Sequence, residues 1–247
     1  HFTNWQQDTL AEVARFARAR QKWCENTETF PQAAILNCAN NTYINTPDTL
    51  MPVGGEARSP LLGALHALLE NHISTDVLSE PELIKKLSNY KLIVVPDQNG
   101  VSREFKDALK KYCEEGGKAL ISGINAAEDF GDILGVSFKQ IDSTAHYYVE
   151  VGNQATTVKG PRANVELEDA ELYCCAMNEQ EPGKDETDNA AVTMNFIGEG
   201  AVAGIYSDLF TYHKSTNYPR TRRLIGEIIE SLSPDFDVEV DAPARLH

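Results

Sequence analysis

Apolar positions recur along the chain with two different periods, and the switch between them divides it. Over residues 4 to 25, Leu10, Val13, Ala14, Ala17 and Cys24 return at helical spacing while Arg15, Arg18 and Lys22 fall largely elsewhere, which predicts one amphipathic helix. An alternation of strand and helix follows. The runs QAAILNC (32 to 38), TDVLS (75 to 79), KLIVVP (91 to 96) and KALIS (118 to 122) read as strands, separated by helices starting at Pro60, Glu80 and Arg103. Such alternation specifies parallel strands joined by right-handed crossovers. The helix ends carry signals of their own. Ser59 can cap with Pro60 at the first helical position, and Ser79 and Glu82 have capping-box spacing. Ser102 precedes Phe105, Ala108, Leu109 and Tyr112 at core spacing, and Gly116 with Gly117 stops that helix.

From about residue 136 the grammar changes to segments rich in β-branched and aromatic residues. AHYYVEV (145 to 151), ATTVK (155 to 159), ELYCCAM (171 to 177), AAVTMNF (190 to 196) and AVAGIYS (201 to 207) predict antiparallel strands or hairpins that extend the sheet. The polar run EQEPGKDETDN (179 to 189) predicts a solvated loop. A last helix near 217 to 232 buries Leu224, Ile225, Ile228, Ile229 and Leu232, and Pro234 follows it. The fold class is therefore α/β: a parallel sheet with helices on both faces, extended by antiparallel strands in the C-terminal half.

Composition narrows the function classes. The chain of 247 residues is 42% hydrophobic and 24% charged, enough for a real core and unlike disordered or collagenous chains. Its formal net charge of -15 opposes nucleic acid, since phosphate binding needs clustered Lys and Arg. No apolar run approaches the roughly 20 residues of a membrane-spanning helix, and residues 1 to 20 are amphipathic rather than a signal peptide. The five cysteines contain no CxxC, so they predict buried free thiols, not a metal site; Cys174 and Cys175, adjacent on a strand, point to opposite faces. No cofactor is implied.

In a parallel sheet the functional loops leave the C-terminal strand ends, here Asn37 to Asn41, Asp97 to Gly100 and Ser122 to Asn125. The long connection from 39 to 58 is either a binding loop or a loop packed on another domain. Ser122 stands where a nucleophile elbow would place its reactive residue, but Leu120 and Ile124 occupy the positions an elbow gives to small residues. No context marks His66, His72, His146 or His213 as its base, so Ser122 reads as a turn residue. Cys38 would be a nucleophile only if a base approached it, and Cys113 reads as packing. Asp97 is either ligand-facing or a helix-entry residue. With Asn99 it forms one candidate binding pair. Tyr212 and Tyr218 form another, within YSDLFTYHKSTNYPR (206 to 220), where Tyr206, Phe210, Tyr212 and Tyr218 surround His213 and Lys214; this loop-like stretch predicts an interface or a sugar-facing surface.

The run PLLGALHALLENHISTDVLSEPELIKKLSNYKLIVVPDQNGVSREFKDALKKYCEEGGKALISG resembles the trimerisation domain of beta-galactosidase-type glycoside hydrolases, whose fold is the flavodoxin-like, class I glutamine amidotransferase-like sheet. The resemblance covers residues 32 to 125 and rests on the order of elements. Residues 4 to 25 resemble the last helix of a catalytic (β/α) barrel, and SPDFDVEVDAPARLH resembles a lead-in to a C-terminal β domain. The resemblance thus implies three parts: 1 to 30 as the end of a preceding barrel, 31 to 235 as the amidotransferase-like domain, and 236 to 247 as the lead-in. Amidotransferases of this fold carry a Cys in the turn after the strand matching KALIS and a later His-x-Glu pair. Here that turn is Ser122, Gly123 and Ile124, and His213 is followed by Lys214 and Ser215, so the machinery is missing. The implied function is a non-catalytic interaction or oligomerisation domain whose partners are the upstream barrel, neighbouring subunits and carbohydrate. Two alternatives stand beside it: a hydrolase or transferase using Cys38 or Ser122, and a stand-alone sugar-binding module with an exposed aromatic platform.

Overall fold

The computed structural model describes residues 3–45, 59–143, 146–152, 154–178 and 186–242. Contacts divide the chain into residues 1–30 and 31–247. The first unit is one helix, α1 (Asn4–Cys24), none of whose residues is buried. The side chain of Gln6 accepts a bond from the Thr3 backbone N–H at 2.8 Å, satisfying a donor that a helix start leaves free. Trp5, Leu10, Val13, Phe16 and Trp23 are all exposed on it.

In the second unit, β1 (Ala33–Asn37), α2 (Ala39–Asn45), α3 (Ser59–Glu70), β2 (Thr75–Ser79), α4 (Glu80–Lys86), β3 (Leu92–Val95), α5 (Arg103–Glu114) and β4 (Lys118–Ser122) follow in order. All but α2 belong to the predicted alternation, while α2 is a helix at the start of the 39–58 connection expected as a loop, the rest of which lies outside the described residues. Then come α6 (Ala126–Leu134), β5 (Val136–Asp142), β6 (His146–Val151), β7 (Gln154–Lys159), β8 (Arg162–Leu167), β9 (Glu171–Met177), β10 (Glu186–Ile197), β11 (Gly200–Ile205), α7 (Leu209–Thr216) and α8 (Pro219–Leu232). Among the described residues nine strands make one sheet, in the order β2-β1-β3-β4-β11-β10-β9-β6-β7, and β5 and β8 pair separately.

Strand chemistry explains the layers. Ile35, Val94, Leu120 and Ala203 join one core with residues of α3, α7 and α8, while Leu36, Ile93, Ile121 and Val202 join the other with α5 and α6. Neighbouring side chains on a strand point to opposite faces, so a strand covered on both sides must be apolar throughout. Where two helices meet, α3 and α7 approach so closely that a Cβ on Gly63 would lie 1.9 Å from the Phe210 carbonyl oxygen.

Three expectations of detail differ in the structure. The segment 201 to 207 yields β11, which is antiparallel to β10 but runs parallel to β4, so the parallel part of the sheet gains a fifth member. The residues from 206 to 220 are largely helical, because Leu209, Phe210 and His213 form a buried stripe one turn apart. The Ser79 side chain makes no capping bond, and Glu82 turns outward to Lys85 at 2.8 Å. Ser102 does cap as expected, accepting from Phe105 N at 3.2 Å.

Candidate functional site

The parallel strands β3, β4 and β11 end side by side, and their next residues meet in one polar cluster. Asp97 follows β3 with a left-handed φ of 45°. That conformation, uncommon outside Gly, Asn and Asp, turns its backbone N–H onto the Ser122 carbonyl at 2.9 Å and its carboxylate across the strand ends. The Ser122 hydroxyl donates to one carboxylate oxygen, and the other accepts the Thr211 N–H and hydroxyl, each at 2.9 Å. Gly123, at φ 133°, lets the β4 turn pass beside Asp97: a Cβ there would lie 3.1 Å from the Asp97 Cα. Asp208, at the start of α7, accepts the Ile124 N–H at 3.0 Å.

Asp97 is only 7% exposed, and burial first, with the Asp208 carboxylate second, pushes its carboxyl up to about 7; the bonds from Ser122 and Thr211 pull the other way. Asp208 is also pushed upward by its surroundings, yet its side chain reaches water. Water screens its charge, so burial is the stronger cause at Asp97.

Beside this cluster the β1 and β3 loops lock together. Asn99 N donates to Asn41 Oδ1 at 3.0 Å, Asn125 Nδ2 donates to Asn99 Oδ1 at 2.8 Å, and Cys38 N donates to Gln98 Oε1 at 3.0 Å. The Cys38 thiol points at the Asn99 and Gly100 carbonyls, at 3.6 and 3.7 Å. Burial first, then Glu80, push it up to about 11, which leaves it a thiol at neutral pH. On the other side Tyr147 of β6 shares a 2.6 Å bond with Ser207, and Arg162 of β8 stacks on the Tyr147 ring and pairs with Asp142 at 3.0 Å.

Each residue singled out in the sequence now has a place. Asp97, Asn99, Ser122 and Cys38 gather at the strand ends, whereas Tyr212 and Tyr218 lie on and after α7. Tyr212 packs partly buried against the core, Tyr218 is 37% exposed, and Tyr206 and Phe210 are core residues, so the expected aromatic surface reduces to Tyr218 and part of Tyr212. Among the described residues no hydrogen bond joins a histidine to Ser122 or Cys38. His213 is buried with its Nε2 3.7 Å from Glu70, His72 lies 3.0 Å from the Ala242 carbonyl, and His146 stacks edge-on to Tyr148. No group of three metal-ligating side chains occurs among the described residues. The arrangement can hold strand ends and a helix together; the groups beside its candidate nucleophiles are carboxyls, Asp97 on Ser122 and Glu80 near Cys38, not imidazoles.

Asp208 and Thr211 are not marked as site residues by the sequence alone. They follow the C-terminal end of a parallel strand, and only the direction of β11 was missing. Tyr147 and Arg162 carried no comparable signal, because antiparallel strands bring them in from distant positions.

A cavity of about 670 Å³ lies elsewhere, lined by Asn71 to Ile73, the end of α8 and residues 233 to 241. A second, about 440 Å³, lies beside Glu150, Tyr173, Cys174, Cys175 and Glu227. Neither is lined by a residue of the strand-end cluster.

Comparison with known proteins places this geometry. The family model described as the beta-galactosidase trimerisation domain matches residues 56–231. Among solved structures, the GH42 beta-galactosidase Gan42B of G. stearothermophilus aligns with a TM-score of 0.68 at 19% identity, over 91% of this chain and 34% of that one. The alpha-L-fucosidase isoenzyme 2 of Paenibacillus thiaminolyticus aligns at 0.69 and 15% identity, over 95% and 37%. The beta-galactosidase of Bacillus circulans sp. alkalophilus aligns at 0.62 and 14% identity, over 91% and 34%. The chain therefore spans about a third of the length of these structures, and at such identities the likeness is one of fold. No curated protein sequence matches significantly. Since the family match runs across well over half of the chain, the protein belongs to the beta-galactosidase trimerisation domain family.

Proposed function

We propose that this chain is the non-catalytic interaction domain of a multidomain glycoside hydrolase, in contact with the catalytic barrel and with neighbouring subunits. The observation that carries the reading is the family match over residues 56–231. The strand-end cluster supports it, since Ser122 is bound to a carboxylate and Cys38 to backbone carbonyls, each without an imidazole. In this reading residues 1 to 30 are the end of the barrel, 31 to 235 are the domain, and 236 to 247 lead into a β domain. The exposed apolar residues of α1, from Trp5 to Trp23, are the side chains a barrel neighbour would cover. The parent would cleave a glycosidic bond with paired carboxylates outside this chain.

The test compares the solution mass of the full-length protein with that of a version lacking residues 31 to 235, by light scattering after size exclusion. The expected result is an oligomer that dissociates when the domain is removed. A full-length monomer would overturn the oligomerisation role, and saturable binding of galactosides to the 247-residue chain alone would favour the sugar-binding module instead.

A further inference from the structure

We propose that Asp97 is a pH-sensitive latch: protonated, it holds α7 against the ends of β3 and β4, and on ionisation it releases the helix. The geometry sets this up. One carboxylate oxygen engages Ser122 of β4, and the other engages the backbone and side chain of Thr211 in the first turn of α7. Asp97 itself is buried in a left-handed conformation, so the side chain has little freedom to swing into water.

Charge decides which state the latch prefers. Among the described residues no Lys, Arg or His forms an ion pair with Asp97. From α7 it is faced by Asp208 and the Thr211 hydroxyl, and from β4 by the Ser122 hydroxyl. From β6 it is faced by Tyr147, whose phenol burial pushes up to about 12 and which therefore stays neutral. Arg162 of β8 is the nearby cation on that side, and it is committed to Asp142. On the β1 side lies Cys38, a thiol that burial keeps protonated. An ionised Asp97 is thus a buried charge met by two hydroxyls, one N–H and the Asp208 carboxylate. When protonated it donates to Ser122 and still accepts from Thr211, so no bond of the latch is lost.

The sign follows from linkage. A carboxyl whose folded value stands near 7, against about 3.9 in an unfolded chain, binds its proton more tightly when folded. Its contribution is complete below about pH 4 and falls as pH rises, until it is lost above about pH 7. Acid strengthens the latch and mild alkali weakens it.

Hydrogen exchange followed by mass spectrometry on the 247-residue chain reads this directly, with peptides of α7 compared with those of α5 on the opposite face. After correction for the intrinsic pH dependence of exchange, α7 protection should drop about tenfold or more between pH 6 and 8.5, the factor that one pKa unit carries, while α5 stays constant. Asp97→Asn keeps the shape without the ionisation and should abolish the drop. Asp208→Asn removes the neighbouring charge and should move the midpoint to lower pH. A pH-independent α7 in the wild type, equal loosening of α5, or an unchanged drop in Asp97→Asn would overturn the latch. Should Asp97→Asn fail to fold, the wild-type and Asp208→Asn profiles still decide.

Discussion

The two ends of the same sheet are built on opposite plans. At the C-terminal ends of β3, β4 and β11 polar side chains close on one another: Asp97 on Ser122 and Thr211, Asn125 on Asn99, Asn99 on Asn41. At the other end the extended segment after α8 crosses below the strands and leaves a cavity of about 670 Å³. That segment is held by Gln32, whose amide donates to the Val238 carbonyl at 2.8 Å and accepts the Val238 N–H at 2.7 Å, and by His72, 3.0 Å from the Ala242 carbonyl. A parallel α/β sheet ordinarily presents ligands with the first end. In this chain that end is spent on mutual contacts, and open volume lies at the end where such folds seldom place chemistry.

The sharpest way to break the contrast is to loosen the closed end from behind. Gly63→Ala places a methyl group 1.9 Å from the Phe210 carbonyl, a backbone atom that cannot yield without moving α7. We expect a loss of about 3 kcal/mol from overpacking, which in a chain of this size lowers the melting temperature by roughly 6 to 12 °C. Thermal unfolding measures it. An unchanged melting temperature would mean that α7 is not tightly seated and that the strand ends are less closed than their hydrogen bonds imply.

The open end predicts a smaller, local effect. Gln32→Ala removes two side-chain bonds to the Val238 backbone, but Val238 is 51% exposed, so water can replace them. The cost should be about 1 kcal/mol, at the low end for two hydrogen bonds because the freed groups are not left dry. Hydrogen exchange should rise in residues 233 to 242 and stay unchanged in α7. Equal loosening at both ends would show that the two ends are one cooperative unit and remove the distinction drawn between them.

How far this contrast could be read from the sequence differs from one half to the other. Strands β1, β3 and β4 are apolar on both faces, and helix signals such as Ser102 and Gly116 punctuate the chain between them, so the order and parallel direction of these strands are legible, while the short helix α2 is not. In the later half, alternation marked AVAGIYS as a strand but carried no direction, since a strand buried on both faces looks alike in either orientation. Without that direction nothing in the sequence sets Asp208 and Thr211 at the strand ends beside Asp97 and Ser122. The pair β5 and β8 went unread because VSFKQID carries only a weak apolar alternation, and its burial is confined largely to Val136. Helix α6 was missed for a comparable reason: it is short, and Phe130 breaks it with a φ of -133°. The aromatics from Tyr206 to Tyr218 show the reverse error. Their polar neighbours suggested a loop, while Leu209, Phe210 and His213 bury one side of a helix.

The smallest expected effect is the one that tests the closed end most directly. Cys38 and Ser122 occupy the positions where this fold places reactive groups, and both are engaged: the thiol with two backbone carbonyls, the hydroxyl with Asp97. A nucleophile needs a base able to take its proton. Burial holds the Cys38 proton in place, and the partner of Ser122 is itself a carboxyl pushed toward its neutral form. In the full-length protein, on the proposed reading of its parent as a glycoside hydrolase, Cys38→Ala and Ser122→Ala should therefore leave kcat and KM within about twofold of wild type, whereas removing a true general acid or base typically costs about 100-fold to 10,000-fold. Steady-state kinetics on a chromogenic glycoside, with each variant first checked for wild-type oligomeric mass, separates a chemical role from loss of assembly. A fall of 100-fold or more in kcat for either variant, at unchanged mass, would place chemistry at the strand ends and return the hydrolase alternative to first place.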